Sequence, residues 1–175
     1  MTAPSPWVVR FAPRIREGGL VLDLAAGSGR HARCLRALGH PVVAVDIDAS
    51  KMAGLHADEH LELMQADLER GQWPFNERHF DGIVVTNYLH RPLLPRLPGT
   101  LAPGGVLIYE TFSVGHEAYG RPSNPDFLLR ERELLDAFEG SLEVVAHEHV
   151  HESVPAPAVR QRICARRPSS EDEKA

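Results

Sequence analysis

Short apolar runs alternate with stretches of helical character along this chain, an alternation that predicts a parallel sheet covered by helices. The first run, residues 20–24, follows the turn pair Gly18-Gly19 and leads into a small-residue turn, Ala25 to Gly29. A helix is predicted from about residue 30 to 38, closed by Gly39. The second run, residues 42–45, ends on Asp46, and a weaker helix over about 50–57 leads to a third run, 61–66, ending on Asp67. Gly71 to Asn76 reads as a loop from its Gly and Pro content. A fourth run, 80–86, stops before Asn87. The helix near 93–97 is kept short by the surrounding prolines. The turn Ala102-Pro103-Gly104-Gly105 introduces a fifth run, 106–112, and residues 113–126 form a loop. An amphipathic helix carries Leu134, Leu135 and Phe138 on one face and ends at Gly140. The last two runs, about 142–150 and 159–166, are close enough in sequence to pair antiparallel. The prediction is an α/β fold: five βα units and a strand pair in a doubly wound, mostly parallel seven-stranded sheet with a C-terminal antiparallel pair.

The length of 175 residues suits one domain, assigned to 1–167, with a polar tail (168–175) expected to be disordered. A net charge of -5 provides no basic field for nucleic acid and argues against such a partner. No apolar stretch approaches the ~18 residues of a membrane span, and the first residues lack the apolar core of a secretory signal. Cys34 and Cys164 show no metal or redox spacing and read as buried, reduced thiols of a cytoplasmic protein.

Candidate chemistry lies at the ends of the apolar runs. Asp23, Asp46, Asp67 and Asn87 stop, or nearly stop, the first four, at intervals of 23 (46 − 23), 21 (67 − 46) and 20 (87 − 67) residues. In a parallel sheet such positions share the carboxyl edge, where open α/β sheets bind ligands. Acids gathered there need hydroxyls, ammonium groups or backbone N–H groups to satisfy them. The turn Ala25-Ala26-Gly27-Ser28-Gly29 lets backbone approach a ligand closely and opens a helix whose free N–H groups can face a polar ligand.

These residues resemble the class I S-adenosylmethionine (SAM)-dependent methyltransferases. Val21 to Gly29 is similar to their glycine motif, with Ala25 where many members have glycine. The resemblance, which spans about 18–112, implies SAM as cofactor and Asp23, Ala25, Gly27, Ser28 and Gly29 beside it. It further implies Asp46, followed by Ile47, on the ribose hydroxyls, Asp67 with Leu68 on the adenine edge, and Asn87 near the methionine moiety. The segments Asn87 to Leu93 and Tyr119 to Leu129 resemble a small bacterial group often classed with tellurite-resistance-type methyltransferases.

An acceptor is expected between the end of the fourth strand and the loop after the fifth. Tyr88, His90 and Arg121 are the leading catalytic candidates, with Arg91, Glu110 and His116 beside them. His90 could act as a base, imidazole having an ordinary pKa near ~6.5. Arg91 and Arg121 could clamp an anionic acceptor. The 113–126 loop reads as a lid closed by Tyr119 and Phe127. His147, His149 and His151 share one strand face that could bind Zn²⁺ or Ni²⁺, although a solvated face is the simpler reading and no metal site is assigned. The expected acceptor is a small molecule, anionic or a soft nucleophile. An RNA or protein methyltransferase and a non-catalytic SAM-binding scaffold are the alternatives. An NAD-dependent oxidoreductase ranks last because Asp67 and Asn87 would have no part in it.

Overall fold

The computed structural model describes residues 3–169, so residues 170–175 of the polar tail lie outside it. Seven strands form one sheet: β1 (Val21–Leu24), β2 (Val42–Asp46), β3 (Leu61–Gln65), β4 (Phe80–Thr86), β5 (Leu101–Phe112), β6 (Glu143–Glu152) and β7 (Ala158–Arg166). Their order is β3-β2-β1-β4-β5-β7-β6. β1 to β5 run parallel, while β7 pairs antiparallel with both β5 and β6. The predicted sheet and its antiparallel pair are therefore present. The strand order reverses between β1 and β4, which opens a crevice at their carboxyl ends.

Side chains alternate across the sheet and feed two cores. Leu22, Leu24, Val43 and Val45 enter one with Phe80, Tyr109 and Phe138. Val21, Val42 and Ala44 enter the other with Trp7, Phe11 and Leu35. The second core is covered by α1 (Pro6–Phe11) and α2 (Arg30–Ala37), and the first by α3 (Leu97–Thr100) and α4 (Glu133–Phe138) with the loops around them.

The expected five βα units are reduced. The predicted 50–57 helix is a single 3-10 turn, Ala49–Met52, capped by the Asp48 carboxylate on the Ser50 N–H and followed by Gly54. Pro92, Pro95 and Pro98 withhold three backbone donors, so a 3-10 segment, Arg91–Arg96, precedes the one-turn α3. No helix joins β3 to β4. Instead Trp73, Phe75 and Phe80 stack edge to face, with centroids 5.1 and 5.4 Å apart, and supply the apolar cover a helix would bring. The expected turn at 102–105 is absorbed into β5 as an irregularity against β4. Gly105 is required there, because a Cβ would lie 2.8 Å from the Ala102 carbonyl oxygen and 2.9 Å from that of Phe80. Cys164 is buried as expected, but Cys34 is only partly covered; both are free thiols.

Helix α1 was not foreseen, since six residues beginning with proline carry little periodic signal. It is fixed by tertiary contacts: Trp7 Nε1 donates to the Ile163 carbonyl at 3.2 Å, and Arg10 pairs with Glu148 at 3.3 Å. The Ser5 hydroxyl accepts from the Trp7 N–H at 3.1 Å and caps its start. Replacing Ser5 by alanine is expected to cost about 1 kcal/mol, read as a melting-temperature drop of roughly 2–4 °C in thermal unfolding.

Candidate functional site

The carboxyl ends of β1, β2 and β4 border a pocket of about 420 Å³. Ala25, Gly27, Ser28, Asp46, Ile47, Asp67, Leu68 and Asn87 all lie on it, as does Tyr88. Asp23 and Gly29 do not. Asp23 is buried beneath the turn, and its carboxylate accepts from the Ala32 N–H at 2.9 Å, tying α2 to β1. Burial pushes its pKa up to about 7, against the lowering effect of that hydrogen bond and of Arg30. Gly29 permits close packing, because a Cβ there would meet Leu55 Cδ1 at 2.3 Å.

The turn uses the left-handed backbone region at alternate residues: φ is 55° at Ala25, 56° at Gly27 and 71° at Gly29. Ala25 therefore holds a conformation that favours glycine. The Asp46 carboxylate holds this turn in place. It accepts from the Gly27 N–H at 2.8 Å and the Asp48 N–H at 3.0 Å, and Lys51 Nζ lies 3.3 Å away. A carboxylate offers about four acceptor sites, so one is left here, and a second is released if the half-exposed Lys51 swings away. Two vicinal hydroxyls match that capacity. The Asp67 carboxylate faces its own chain, accepting from the Glu69 and Arg70 N–H groups at 2.9 and 3.0 Å, which hold its pKa below the ordinary value.

His31, which sequence reasoning passed over as a binding residue, also lines the pocket. The Ser5 N–H donates to its Nε2 at 3.0 Å, which places the proton of the neutral ring on Nδ1, 3.2 Å from Thr86 Oγ1. Burial, aided by Arg30, pushes its pKa down to about 4. Its position in the first turn after the glycine-rich loop was the available signal.

A second pocket, about 220 Å³, adjoins the first and shares Glu69, Asn87 and Tyr88 with it. Its other walls include Leu89, Phe112, Pro122 and Phe127. Two of the shared residues, Asn87 and Tyr88, are firmly held, while Glu69 is exposed. Asn87 adopts φ 53°, its N–H donates to the Glu110 carbonyl at 3.0 Å, and its Oδ1 accepts from Arg160 Nη1 at 2.6 Å. The Tyr88 carbonyl accepts from the Tyr109 hydroxyl at 2.7 Å. The Tyr88 phenol is pushed well above its ordinary pKa by burial and then by Glu69, Asp67 and Asp46. It remains protonated at neutral pH and serves as a donor rather than a base.

The remaining candidates are placed elsewhere. His90 lines neither pocket and lies within electrostatic range of Asp67. Arg121 is exposed, and its carbonyl accepts from His116 Nε2 at 3.1 Å. Arg91 is not free to clamp an acceptor: its Nε lies 2.6 Å from Glu133, and its other nitrogens donate to the Asp126 and Leu128 carbonyls. Glu110 pairs with Arg162 at 2.6 Å. Phe127 reaches the second pocket, whereas Tyr119 is exposed and away from it. His149 Nε2 lies 3.0 Å from Ser113 Oγ, and no group of three potential metal ligands occurs among the described residues.

A family model described as a methyltransferase domain matches residues 21–105. This stretch is similar to that family. It contains the glycine turn and all four strand-end residues. The chain is 28% identical to a demethylmenaquinone methyltransferase of Clavibacter sepedonicus, over 79% of this chain and 59% of that protein. It thus spans about three fifths of the length of that curated relative. Among solved structures it superposes on TehB from Haemophilus influenzae with a TM-score of 0.77 at 20% identity, covering 95% of this chain and 63% of that one. A 1,6-didemethyltoxoflavin-N1-methyltransferase from Burkholderia thailandensis, solved with its substrate and S-adenosylhomocysteine (SAH), gives a TM-score of 0.70 at 20% identity, covering 94% and 77%. The fold is the Rossmann-like fold of SAM-dependent methyltransferases.

Proposed function

We propose that this chain is a SAM-dependent methyltransferase that binds SAM in the larger pocket and methylates a small molecule in the adjoining one. The observation that carries this reading is the contiguity of the two pockets through Glu69, Asn87 and Tyr88. Asp46 would hold the ribose hydroxyls, Asp67 and Leu68 the adenine edge, and the glycine turn the methionine portion. An NAD-binding oxidoreductase would leave the Asp67–Leu68 and Asn87 positions without a role.

SAM supplies an electrophilic methyl group on a sulfonium sulfur. The protein has to orient the acceptor and exclude water, and orientation can be worth ~7–11 kcal/mol in favourable cases. The pinned Asn87-Tyr88 segment provides a rigid floor for both ligands. With Tyr88 held protonated, the Glu69 carboxylate is the only group lining the second pocket that can take a proton from the acceptor. An acceptor carrying a lone pair at neutral pH needs none. Arg10 pairs with Glu148, Arg16 with Asp81 and Arg91 with Glu133, and none of these three lines either pocket. The two free thiols fit a reducing, cytoplasmic setting, and no helix among the described residues is long and apolar enough to cross a membrane.

Calorimetric titration with SAM, SAH and NADH tests the cofactor. The expected result is binding of both adenosyl ligands at about micromolar Kd, roughly 8 kcal/mol, and no heat from NADH. Binding of NADH in their place would refute the assignment.

A further inference from the structure

The second pocket has a charge and a shape that bear on its occupant. Glu69 is its single charged lining residue, and Leu89, Phe112, Pro122 and Phe127 supply apolar walls. Phe112 is held from both sides: the Arg160 guanidinium lies 4.1 Å from its centroid, and the His116 ring stacks at 4.1 Å and 30°. Two groups that close cannot share one face of the ring, so Phe112 offers the pocket its edge. A ring edge carries the positive end of the aromatic quadrupole and attracts the electron-rich face of another ring. Arg160 Nε and Nη1 donate to Glu152 and Asn87, Arg91 is held by Glu133, and neither arginine lines the pocket.

We infer that this pocket takes a flat, electron-rich ring bearing an amino or other N–H donor, neutral or cationic, and that Glu69 sets this specificity by binding the donor and repelling anions. This departs from the anionic alternative in the sequence expectation of an anionic acceptor or a soft nucleophile. The inference rests on the larger pocket holding the cofactor, and the experiment below separates the two.

The test uses saturation-transfer NMR on the full chain with SAH bound, and three probes on one bicyclic frame: 2-naphthylmethylamine, 2-naphthol and 2-naphthoate. The amine is expected to bind about tenfold more tightly than the carboxylate, with the naphthol between them. Glu69→Gln should bring amine and carboxylate within about threefold of each other. Phe127→Ala, which removes a wall of the second pocket only, should weaken the amine and naphthol about fivefold and leave SAH affinity unchanged, a result that also reports an intact fold. The inference is overturned if no probe binds beside SAH, if the carboxylate binds as tightly as the amine, or if the preference survives Glu69→Gln. Failure of SAH to bind overturns the cofactor assignment instead.

Discussion

Replacing Asp46 by alanine is expected to weaken SAH binding by about 1.5–3 kcal/mol, the range for hydrogen bonds to a charged group. Calorimetry would read this as a rise in Kd of roughly tenfold to 150-fold. Two contributions add. The ribose hydroxyls lose their acceptor, and the Gly27 N–H, now 2.8 Å from the carboxylate, loses the partner that shapes the turn. Asp46→Asn separates them, because its amide oxygen can still accept from Gly27 while offering fewer acceptor sites to the ribose. An affinity for SAH unchanged in both variants would show that this carboxylate does not hold the ribose.

Asp23→Asn is expected to gain about 2–3 kcal/mol of stability relative to the unaltered protein between pH 5 and 7.5. The Asp23 pKa rises from 3.8 to about 7 on folding. Across that window the native state therefore binds more protons than the unfolded chain, and stability falls as pH rises. His31 acts in the opposite sense. Its pKa falls from 6.5 to about 4, so the unfolded chain binds the extra proton and stability rises with pH over that range. From pH 5 to 7.5 the His31 contribution is about 2 kcal/mol, which nearly cancels that of Asp23. The unaltered protein hides both. Urea unfolding at the two pH values should show Asp23→Asn gaining stability with pH and His31→Gln losing it, each relative to the parent. Parallel pH profiles for all three proteins would contradict burial as the cause of both shifts.

The sheet was legible because its strands are short apolar runs separated by turn residues, and because four of them stop beside a polar side chain at nearly even intervals. That regularity brings Asp46, Asp67 and Asn87 to one pocket, but it does not reveal direction. Asp23 has the same pattern yet turns inward to hold α2, since a four-residue strand buried on both faces leaves its side chain no route to solvent. The helix expected over 50–57 fell short where Gly54 overrode apolar spacing, while the prolines near 93–97 kept that helix as short as expected. The second pocket lay beyond local pattern altogether. Its walls come from segments as far apart as Glu69 and Phe127, and Asn87 is held by Arg160, which reaches it only through the register of β7 on β5.

That register gives the molecule an order of assembly. The turn, β1, β2 and β4 that shape the larger pocket are complete in the nascent chain well before β6 and β7 leave the ribosome. β6 and β7 are separated by only five residues, 153–157, so they can zip together locally before meeting the rest of the sheet. Only when this hairpin docks on β5 do Arg160 and Arg162 reach Asn87 and Glu110 and set the far wall of the site. The strands around the larger pocket thus precede β6 and β7 in synthesis, and it is β7 that fixes the side chains of Asn87 and Glu110.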